Sequence, residues 1–329
     1  MPVEASVVSD IRCPHCHAAV ECSSGGLRCV GCARTFRVDG RVIDFVDALG
    51  EQEQTSRSFG FQWKGFWKGL FDRGDVYGVG FEETRRYFLA STGLTESQLA
   101  GMKILDAGTG SGRVAHALTG TGCRLYAVDI HDGLRTIAAQ LAERGDVTFF
   151  HADLLNLPFK DATFDCIWSS GVLHHTPDTR AAFHSVSRTL KPGGRAFIWL
   201  YGTELNHYRI FRHLLPFAHW LPTRVVYALS AALALPLYAG FNVALALLRL
   251  RSAGKPPPYR LLGFTVEDLR PKSYRAILLN LFDQLHPRYQ REHSVAEVRS
   301  WFEEEGFDEI ATTEATNTAL RGTKRPPLR

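Results

Sequence analysis

Residues 104–113, ILDAGTGSGR, are the stretch that decides the fold. Apolar residues typical of a buried strand lead directly into a turn with three glycines, and a helical pattern begins behind it. Glycines let such a turn bring its backbone N–H groups close to a ligand. Binding of a dinucleotide would require the spacing G-x-G-x-x-G, whereas these glycines follow G-x-G-x-G, so the turn alone is a weak signal.

The chain around this turn alternates short apolar strands with amphipathic helices. The predicted strands are KILDAG, RLYAVDI, VTFFHAD, FDCIWSS and GRAFIWLY. This alternation predicts a parallel, doubly wound α/β sheet. The end of the chain has the pattern helix, strand, turn, strand, which predicts an antiparallel edge on the same sheet.

Three aspartates stand at the ends of the first three predicted strands: Asp106, Asp129 and Asp153. Ligands of open α/β sheets bind at the C-terminal ends of the strands. Asp129, 23 residues after Asp106, is placed to accept the hydroxyls of a ribose. Asp153 is placed to accept an adenine amino group. Any one of them could instead cap a helix, but their joint placement favours a nucleotide-containing ligand.

The segments LDAGTGSGR, AVDI, ADLLNLPF, FDCIWSSGVLHHTPD and RTLKPGG, in this order, resemble the class I S-adenosylmethionine-dependent methyltransferases of the type 11 kind. The resemblance covers about residues 100 to 201 and implies a Rossmann-like, seven-stranded methyltransferase sheet. It also implies S-adenosylmethionine as cofactor, held by Asp106, Gly108, Gly110, Asp129, Ile130, Asp153, Leu154, Ser169 and Ser170. An NAD-dependent dehydrogenase is the main competing interpretation, and the glycine spacing disfavours it.

Candidate catalytic residues are His174 and His175, which follow the fourth strand, and Tyr289, which precedes the last helix. Methyl transfer requires mainly proximity and orientation, and in some cases a base. A neutral imidazole can accept a proton from a hydroxyl or amine nucleophile. Two structural alternatives stay open: His175 could cap or pack on the following helix, and Tyr289 could anchor a loop.

Four cysteines near the start of the chain form two Cys-x-x-Cys pairs: Cys13, Cys16, Cys29 and Cys32. This spacing predicts a closed structural zinc site in a small zinc ribbon. The ribbon resembles the activator protein of several tRNA methyltransferases, fused here to the enzyme. We expect chelation to unfold about the first 50 residues and to leave cofactor binding intact.

The sequence divides into five predicted parts. They are the zinc ribbon (1–50), an aromatic lid with N-terminal helices (51–100), the methyltransferase core (101–204), a helical apolar and basic insertion after the fifth strand (205–292), and the last helix, closing strands and basic tail (293–329).

The insertion contains an uncharged run, residues 225–248, that is long enough to span a bilayer. A single crossing would place parts of one sheet on opposite sides of the membrane. Pro236 and Gly240 instead predict two short helices in a hairpin. Residues 205–260 contain seven Lys or Arg and no Asp or Glu. That composition leaves open a peripheral membrane contact, a lid over the substrate and a homodimer interface.

Charge and cysteine content narrow the class of function. The net charge is +4, and four basic residues of the C-terminal tail account for it, so the body is about neutral and disfavours nucleic acid as a partner. Seven cysteines, an odd number, and an N-terminus without a secretory pattern favour the cytoplasm.

We therefore expect a methyltransferase that performs O- or C-methylation of a small or lipid-like hydrophobic biosynthetic acceptor. Two alternatives remain: an rRNA or tRNA methyltransferase that captures substrate with its zinc ribbon, and a non-catalytic module that binds the cofactor.

Overall fold

The computed structural model describes residues 3–72, 80, 83–141, 146–203, 213, 215–251, 273–314 and 318–326, with the backbone alone for 245 and 248–251. The strands are β1 (Val20–Ser23), β2 (Gly26–Cys29), β3 (Thr35–Asp39), β4 (Val42–Asp44), β5 (Lys103–Ala107), β6 (Arg124–Asp129), β7 (Val147–His151), β8 (Phe164–Ser170), β9 (Leu190–Leu200), β10 (Phe307–Thr312) and β11 (Thr318–Lys324). The helices are α1 (Ala5–Asp10), α2 (Glu53–Trp67), α3 (Thr84–Thr92), α4 (Arg113–Leu118), α5 (Leu134–Gln140), α6 (Thr179–Ser187), α7 (Thr223–Arg251), α8 (Tyr274–Leu285) and α9 (Val295–Glu304).

All the described strands belong to one mixed sheet of the order β1-β2-β3-β4-β7-β6-β5-β8-β9-β11-β10. Strands β5 to β9 run parallel, and β11 and β10 add the antiparallel edge that the sequence predicts. The predicted parallel α/β sheet is therefore confirmed. The predicted number of seven strands is wrong, because the sheet has eleven strands.

The four extra strands come from the cysteine-containing N-terminal module. Strands β3 and β4 form an antiparallel hairpin, and β4 then pairs in parallel with β7, with Val42 opposite Phe149. Without this pairing β7 would end the parallel sheet with a row of unpaired backbone N–H and C=O groups. The module therefore extends the sheet and covers its edge.

Helices cover both faces of the sheet. One apolar layer includes Ile104 and Phe149 and the inner faces of α2, α4, α5, α7 and α8. The other includes Leu105 and Phe150 and the inner faces of α1, α6 and α9. Neighbouring strand residues contribute to opposite layers, because successive side chains of a strand point to opposite faces. The C-terminal ends of the parallel strands meet at one edge of the sheet.

The apolar insertion forms one helix, α7, of 29 residues with Pro236 inside it, so the predicted pair of short helices is wrong. Proline removes one helical hydrogen bond. Tyr274 of α8 contacts α7 on both sides of the proline. Its hydroxyl donates to the Ala231 carbonyl (2.9 Å), and its ring lies 6.4 Å from that of Tyr238.

Within the described part of the chain, α7 contains one stretch long and apolar enough to cross a membrane, Thr223–Ala244, with mean hydropathy 1.5. Several of the predicted basic flanking residues, Arg209, Arg212, Lys255 and Arg260, lie outside the described residues.

Candidate active site

The glycine turn lies at the C-terminal end of β5 and requires glycine at two positions. Gly108 has a φ of +92°, and a Cβ there would lie 2.3 Å from the Val172 side chain. Gly110 has a φ of +53°, and a Cβ there would lie 3.2 Å from the indole of Trp63. Positive φ and close packing both exclude larger residues. The backbone of the turn is therefore packed closely against Val172 and Trp63.

Asp106 and Asp129 line this turn. Both carboxylate oxygens of Asp129 accept backbone N–H groups, Oδ2 from Gly110 and Oδ1 from Ile130, each at 2.8 Å. Asp106 is fully buried, and its Oδ2 has no hydrogen-bond partner among the described residues. Burial raises the pKa of Asp106 to about 7, and the nearby Asp129 charge acts in the same direction. A cation bound here would favour the ionised form of Asp106.

Further buried polar atoms lie around the turn. Thr109 Oγ1 and both ring nitrogens of His131 make no hydrogen bond of normal geometry within the described part of the chain, although Thr109 interacts with Asp106 and His131 with the Gly110 backbone. His131 Nε2 lies 3.6 Å from Asp129 Oδ2, and burial lowers the pKa of His131, which keeps the ring neutral. Buried polar groups are normally paired. The donor and acceptor set fits S-adenosylmethionine, a ligand with a sulfonium, an amino acid end and a nucleoside.

Asp153 caps the short 3-10 helix Leu154–Asn156, with its Oδ1 accepting from the Leu155 backbone N–H at 2.9 Å. Its Oδ2 accepts from Gln52 Nε2 at 2.6 Å. Asp153 Oδ1 therefore caps a helix, which is the alternative role that the sequence left open. Asp153 Oδ2 faces the segment before α2. An adenine amino group at Asp153 would compete with Gln52 for that oxygen.

Helix α2 covers the glycine turn, in the place predicted for an aromatic lid. Ser56 Oγ donates to the Ile130 carbonyl (2.9 Å), and Trp67 Nε1 donates to the Ser111 carbonyl (3.0 Å). Lys64 pairs with Asp132 at 2.7 Å. These contacts hold α2 against the ends of β5 and β6, so a ligand bound at the turn would be enclosed by it.

The remaining predicted cofactor residues lie at the same edge of the sheet. Leu154 is buried beside Asp153, and Ser170 is half-buried at the end of β8. Ser169 is fully buried, and its hydroxyl donates to the Ala107 carbonyl at 2.8 Å. Ser169 thus braces β8 against β5, while Ser170 lies nearer the opening.

Two of the three candidate catalytic residues, His174 and His175, lie buried next to this edge, and the backbone of Tyr289 contacts His175. His174 and His175 belong to the buried 3-10 helix Leu173–His175. The Nδ1 of His175 lies 2.7 Å from the Tyr289 carbonyl, and its ring packs 4.9 Å from Phe59 of α2. Tyr289 directs its hydroxyl to Glu51, 3.1 Å away at the surface. The structure therefore buries both histidines beside the α2 lid, and it places the Tyr289 hydroxyl at the surface, bonded to Glu51.

Sequence reasoning missed a buried polar group beside the histidines. The Tyr201 hydroxyl donates to Asp283 Oδ2 (2.5 Å) and accepts from Gln284 Nε2 (2.8 Å). The ring of His174 lies 4.0 Å from that of Tyr201. Two signals could have revealed it: Tyr201 directly follows β9, and Asp283 is the single acid in the apolar helix α8.

The four predicted zinc ligands converge. All their sulfur atoms lie within 4.8 Å of one another, with Cys16 and Cys29 at 3.3 Å and Cys13 and Cys32 at 3.7 Å. Tetrahedral zinc with bonds of about 2.3 Å places its sulfurs about 3.8 Å apart, so the cluster fits the ion. Backbone N–H groups of Cys32 and Gly31 point at the Cys29 sulfur and help to lower its pKa to about 6.

Residues 105–198 match the methyltransferase domain family. That segment contains the glycine turn, the three strand-end aspartates and both histidines, so these residues lie in the part of the chain that resembles a methyltransferase domain. The match supports the S-adenosylmethionine interpretation of the turn.

Curated relatives have similarity in the same region. The chain is 36% identical over 106 residues to the demethylmenaquinone methyltransferase of Clavibacter sepedonicus, which covers 32% of this chain and 43% of that protein. It is 35% identical over 118 residues to the 27-O-demethylrifamycin SV methyltransferase of Amycolatopsis mediterranei, with the same coverages of 32% and 43%. The aligned regions thus span less than half the length of these relatives.

A solved complex between the Haloferax volcanii Trm112 methyltransferase activator and a methyltransferase covers 82% of this chain and 99% of its own, at 17% identity and a TM-score of 0.47. Similarity at that level carries no argument about this chain's partners.

Proposed function

We propose that this protein is an S-adenosylmethionine-dependent methyltransferase that methylates an oxygen or carbon of a small, hydrophobic acceptor. The observation that carries the proposal is the placement of three aspartates at one edge of the sheet, within the segment that matches the family. Asp106 and Asp129 lie at the glycine turn, and Asp153 lies at the end of the neighbouring strand β7. The names of two similar proteins denote methylation of small molecules, a menaquinone precursor and a rifamycin precursor. Their acceptors support the class of substrate and do not identify this one.

The cofactor would supply a methyl group on a positively charged sulfur. Gly108, Gly110 and Asp106 would hold its amino acid end, and Asp129 its ribose. Asp153 would bind the adenine once Gln52 yields its hydrogen bond, with Ile130 and Leu154 beside the ring. The α2 lid would exclude water, which strengthens the electrostatic contacts inside the closed site.

The acceptor would lie between the lid and the group formed by His174, His175 and Tyr201. In O-methylation the new carbon–oxygen bond forms as the carbon–sulfur bond breaks, and the hydroxyl proton must leave. A neutral His174 could take that proton, or Tyr201 could relay it to the Asp283 carboxylate. Phe59 would supply an apolar wall, consistent with a hydrophobic acceptor.

Titration calorimetry with S-adenosylmethionine tests the core of this proposal. The wild type should bind, and Asp129→Ala should weaken binding at least about tenfold, because two charge-assisted hydrogen bonds to the ribose are lost. Asp308→Ala is the control, since Asp308 is exposed on the distant edge strand β10. Absence of binding by the wild type would refute the proposal.

The acceptor class is tested by incubating the protein with methyl-labelled cofactor and either a lipid extract or total RNA. Label in the lipid extract supports a hydrophobic acceptor. Label only in RNA would make the protein an RNA methyltransferase, and cofactor binding without transfer to either would point to a non-catalytic module.

All seven cysteines are free of disulfides, in keeping with the proposed cytoplasmic location and a structural zinc at the cysteine cluster.

A further inference from the structure

Exposed large apolar side chains are concentrated on one surface of the molecule. In the described part of the chain ten large hydrophobic side chains are exposed, and only Val30 and Leu70 lie elsewhere. We call the other eight the apolar surface: Phe217, Trp220, Leu221, Val225, Leu235, Tyr238, Val243 and Leu247. Concentrations of exposed large apolar side chains usually mark a binding surface.

Most of the apolar surface is the outward stripe of α7. Leu221 just before the helix, then Val225, Leu235 and Val243, recur at helical spacing on the exposed side, with alanines between them. The inward side, at Val226 and Ala234, is buried in the core layer that α8 shares. A surface helix of a soluble protein normally has a polar outer face. Helix α7 is apolar on both sides, so its outer face requires a partner.

Charge indicates which partner. Residues 205–260 contain seven basic residues and no acidic one, and Arg224 lies exposed at the start of α7. An apolar helix in a segment whose only charged residues are basic is complementary to anionic lipid headgroups above an acyl layer. The exposed ring pair of Phe217 and Trp220, with centroids 6.4 Å apart, has the aromatic character found at membrane interfaces.

The topology favours contact with a bilayer surface over a crossing. Strand β9 before α7 and strands β10 and β11 after it belong to one sheet. Helix α7 is also packed along one side against α8, so lipid can reach only its outer face. An interfacial helix, lying in the plane of the membrane with one face immersed, satisfies both conditions.

We propose that the apolar surface docks this protein on a bilayer that contains anionic lipid, and that the acceptor reaches the active site from that bilayer. The second clause rests on the proposed methyltransferase function. Gln54 of α2 links the two places, because its Nε2 donates to the His219 carbonyl (3.3 Å) and to the His286 carbonyl (2.5 Å). His219 lies between Phe217 and Trp220 in the sequence, and His286 directly follows α8, three residues after Asp283. The α2 lid and the proposed acceptor site near Asp283 thus adjoin the apolar surface.

Vesicle sedimentation tests the proposal with vesicles of phosphatidylcholine alone and of phosphatidylcholine mixed with phosphatidylglycerol. The full chain should sediment with the mixed vesicles, and added salt should weaken this binding. Val243→Asp should weaken it at least about tenfold, because a carboxylate is costly within the acyl layer. Val30→Asp is the matched control, since Val30 is 57% exposed against 58% for Val243 but lies in the N-terminal module.

Two outcomes would overturn the docking proposal. One is a wild-type protein that remains in the supernatant with both kinds of vesicle. The other is a dimer in analytical ultracentrifugation that Val243→Asp dissociates, which would make the apolar surface an interface between copies. Vesicle binding involves no methyl transfer, so calorimetry with S-adenosylmethionine on the same samples separates failure of docking from failure of the proposed function.

Discussion

Asp106 shows at the residue scale how burial changes the chemistry of a side chain. Its carboxyl group lies inside the sheet edge, away from water, and burial raises its pKa to about 7. In the ligand-free protein it is therefore largely protonated below that pH. A cationic ligand stabilises the ionised form, so binding should release a proton when it occurs near or below that pH.

We therefore expect S-adenosylmethionine to bind more tightly as the pH rises through about 7, with the Kd falling up to about tenfold per pH unit on the acid side. The Kd falls with rising pH because the cation binds the ionised Asp106, and the raised pKa of Asp106 makes this form scarce at lower pH. Calorimetry at a series of pH values measures it. Asp106→Asn should bind weakly with a flat pH profile, and a profile unchanged by this substitution would contradict the assignment.

Tyr201 allows a second test at the residue scale. Its hydroxyl joins the buried Asp283 and Gln284, and hydrogen bonds to charged groups contribute about 1.5–3 kcal/mol to stability. Tyr201→Phe should lower the free energy of unfolding by about that amount in urea denaturation. Tyr289→Phe removes a hydroxyl from a bond to the exposed Glu51 and should change stability by less than about 0.5 kcal/mol. Equal effects of the two substitutions would argue against a buried polar network.

At the scale of elements, the insertion shows local sequence signals overruled by packing. Proline and glycine favour a break within an isolated segment. In the folded chain Tyr274 contacts α7 before and after Pro236, and the inward residues on both sides pack in one layer. Packing of a continuous face outweighs the lost hydrogen bond, which has a cost of about 3 kcal/mol in a helix interior.

Pro236→Ala should therefore stabilise the protein by about 1–3 kcal/mol, because it restores a helical N–H donor and relieves a clash inside a continuous helix. Urea unfolding followed by circular dichroism measures the gain. Pro222→Ala, just before α7, is the control and should have little effect or a small cost. A loss of stability in Pro236→Ala would contradict the continuous helix. It would instead favour the two-helix hairpin predicted from the sequence, in which proline is a preferred turn residue.

At the scale of the whole molecule, the continuous sheet changes what metal removal should do. The sequence led us to expect unfolding confined to the N-terminal module. The structure pairs β4 with β7, and Asp44 Oδ1 of β4 lies 2.8 Å from His151 Nδ1 at the end of β7. The module also leads directly into Gln52 and the α2 lid. Loss of the metal should therefore also perturb the edge of the sheet where the cofactor is proposed to bind.

A chelator, or Cys29→Ser, should lower the melting temperature of the whole chain by roughly 10 °C and weaken cofactor binding in the same step. Scanning calorimetry and metal analysis of the purified protein measure both effects. Cys22→Ser is the matched control, because Cys22 is exposed in β1 and outside the cluster. A protein without bound zinc, or a low-temperature transition limited to the module, would contradict this expectation.

The amino-acid sequence alone determined the parallel core, the glycine turn with its aspartates, and the cysteine cluster. Each of these follows from residues that are close together in the sequence. Apolar runs predict strands, glycines predict turn positions with positive φ, and paired Cys-x-x-Cys motifs predict a metal site. Only the tertiary structure decided the eleven-stranded sheet, the single helix α7, and the pairs Gln52–Asp153 and Tyr201–Asp283. Their partners lie 101 and 82 residues apart, and contacts at such separations depend on how the layers pack, which no local pattern encodes.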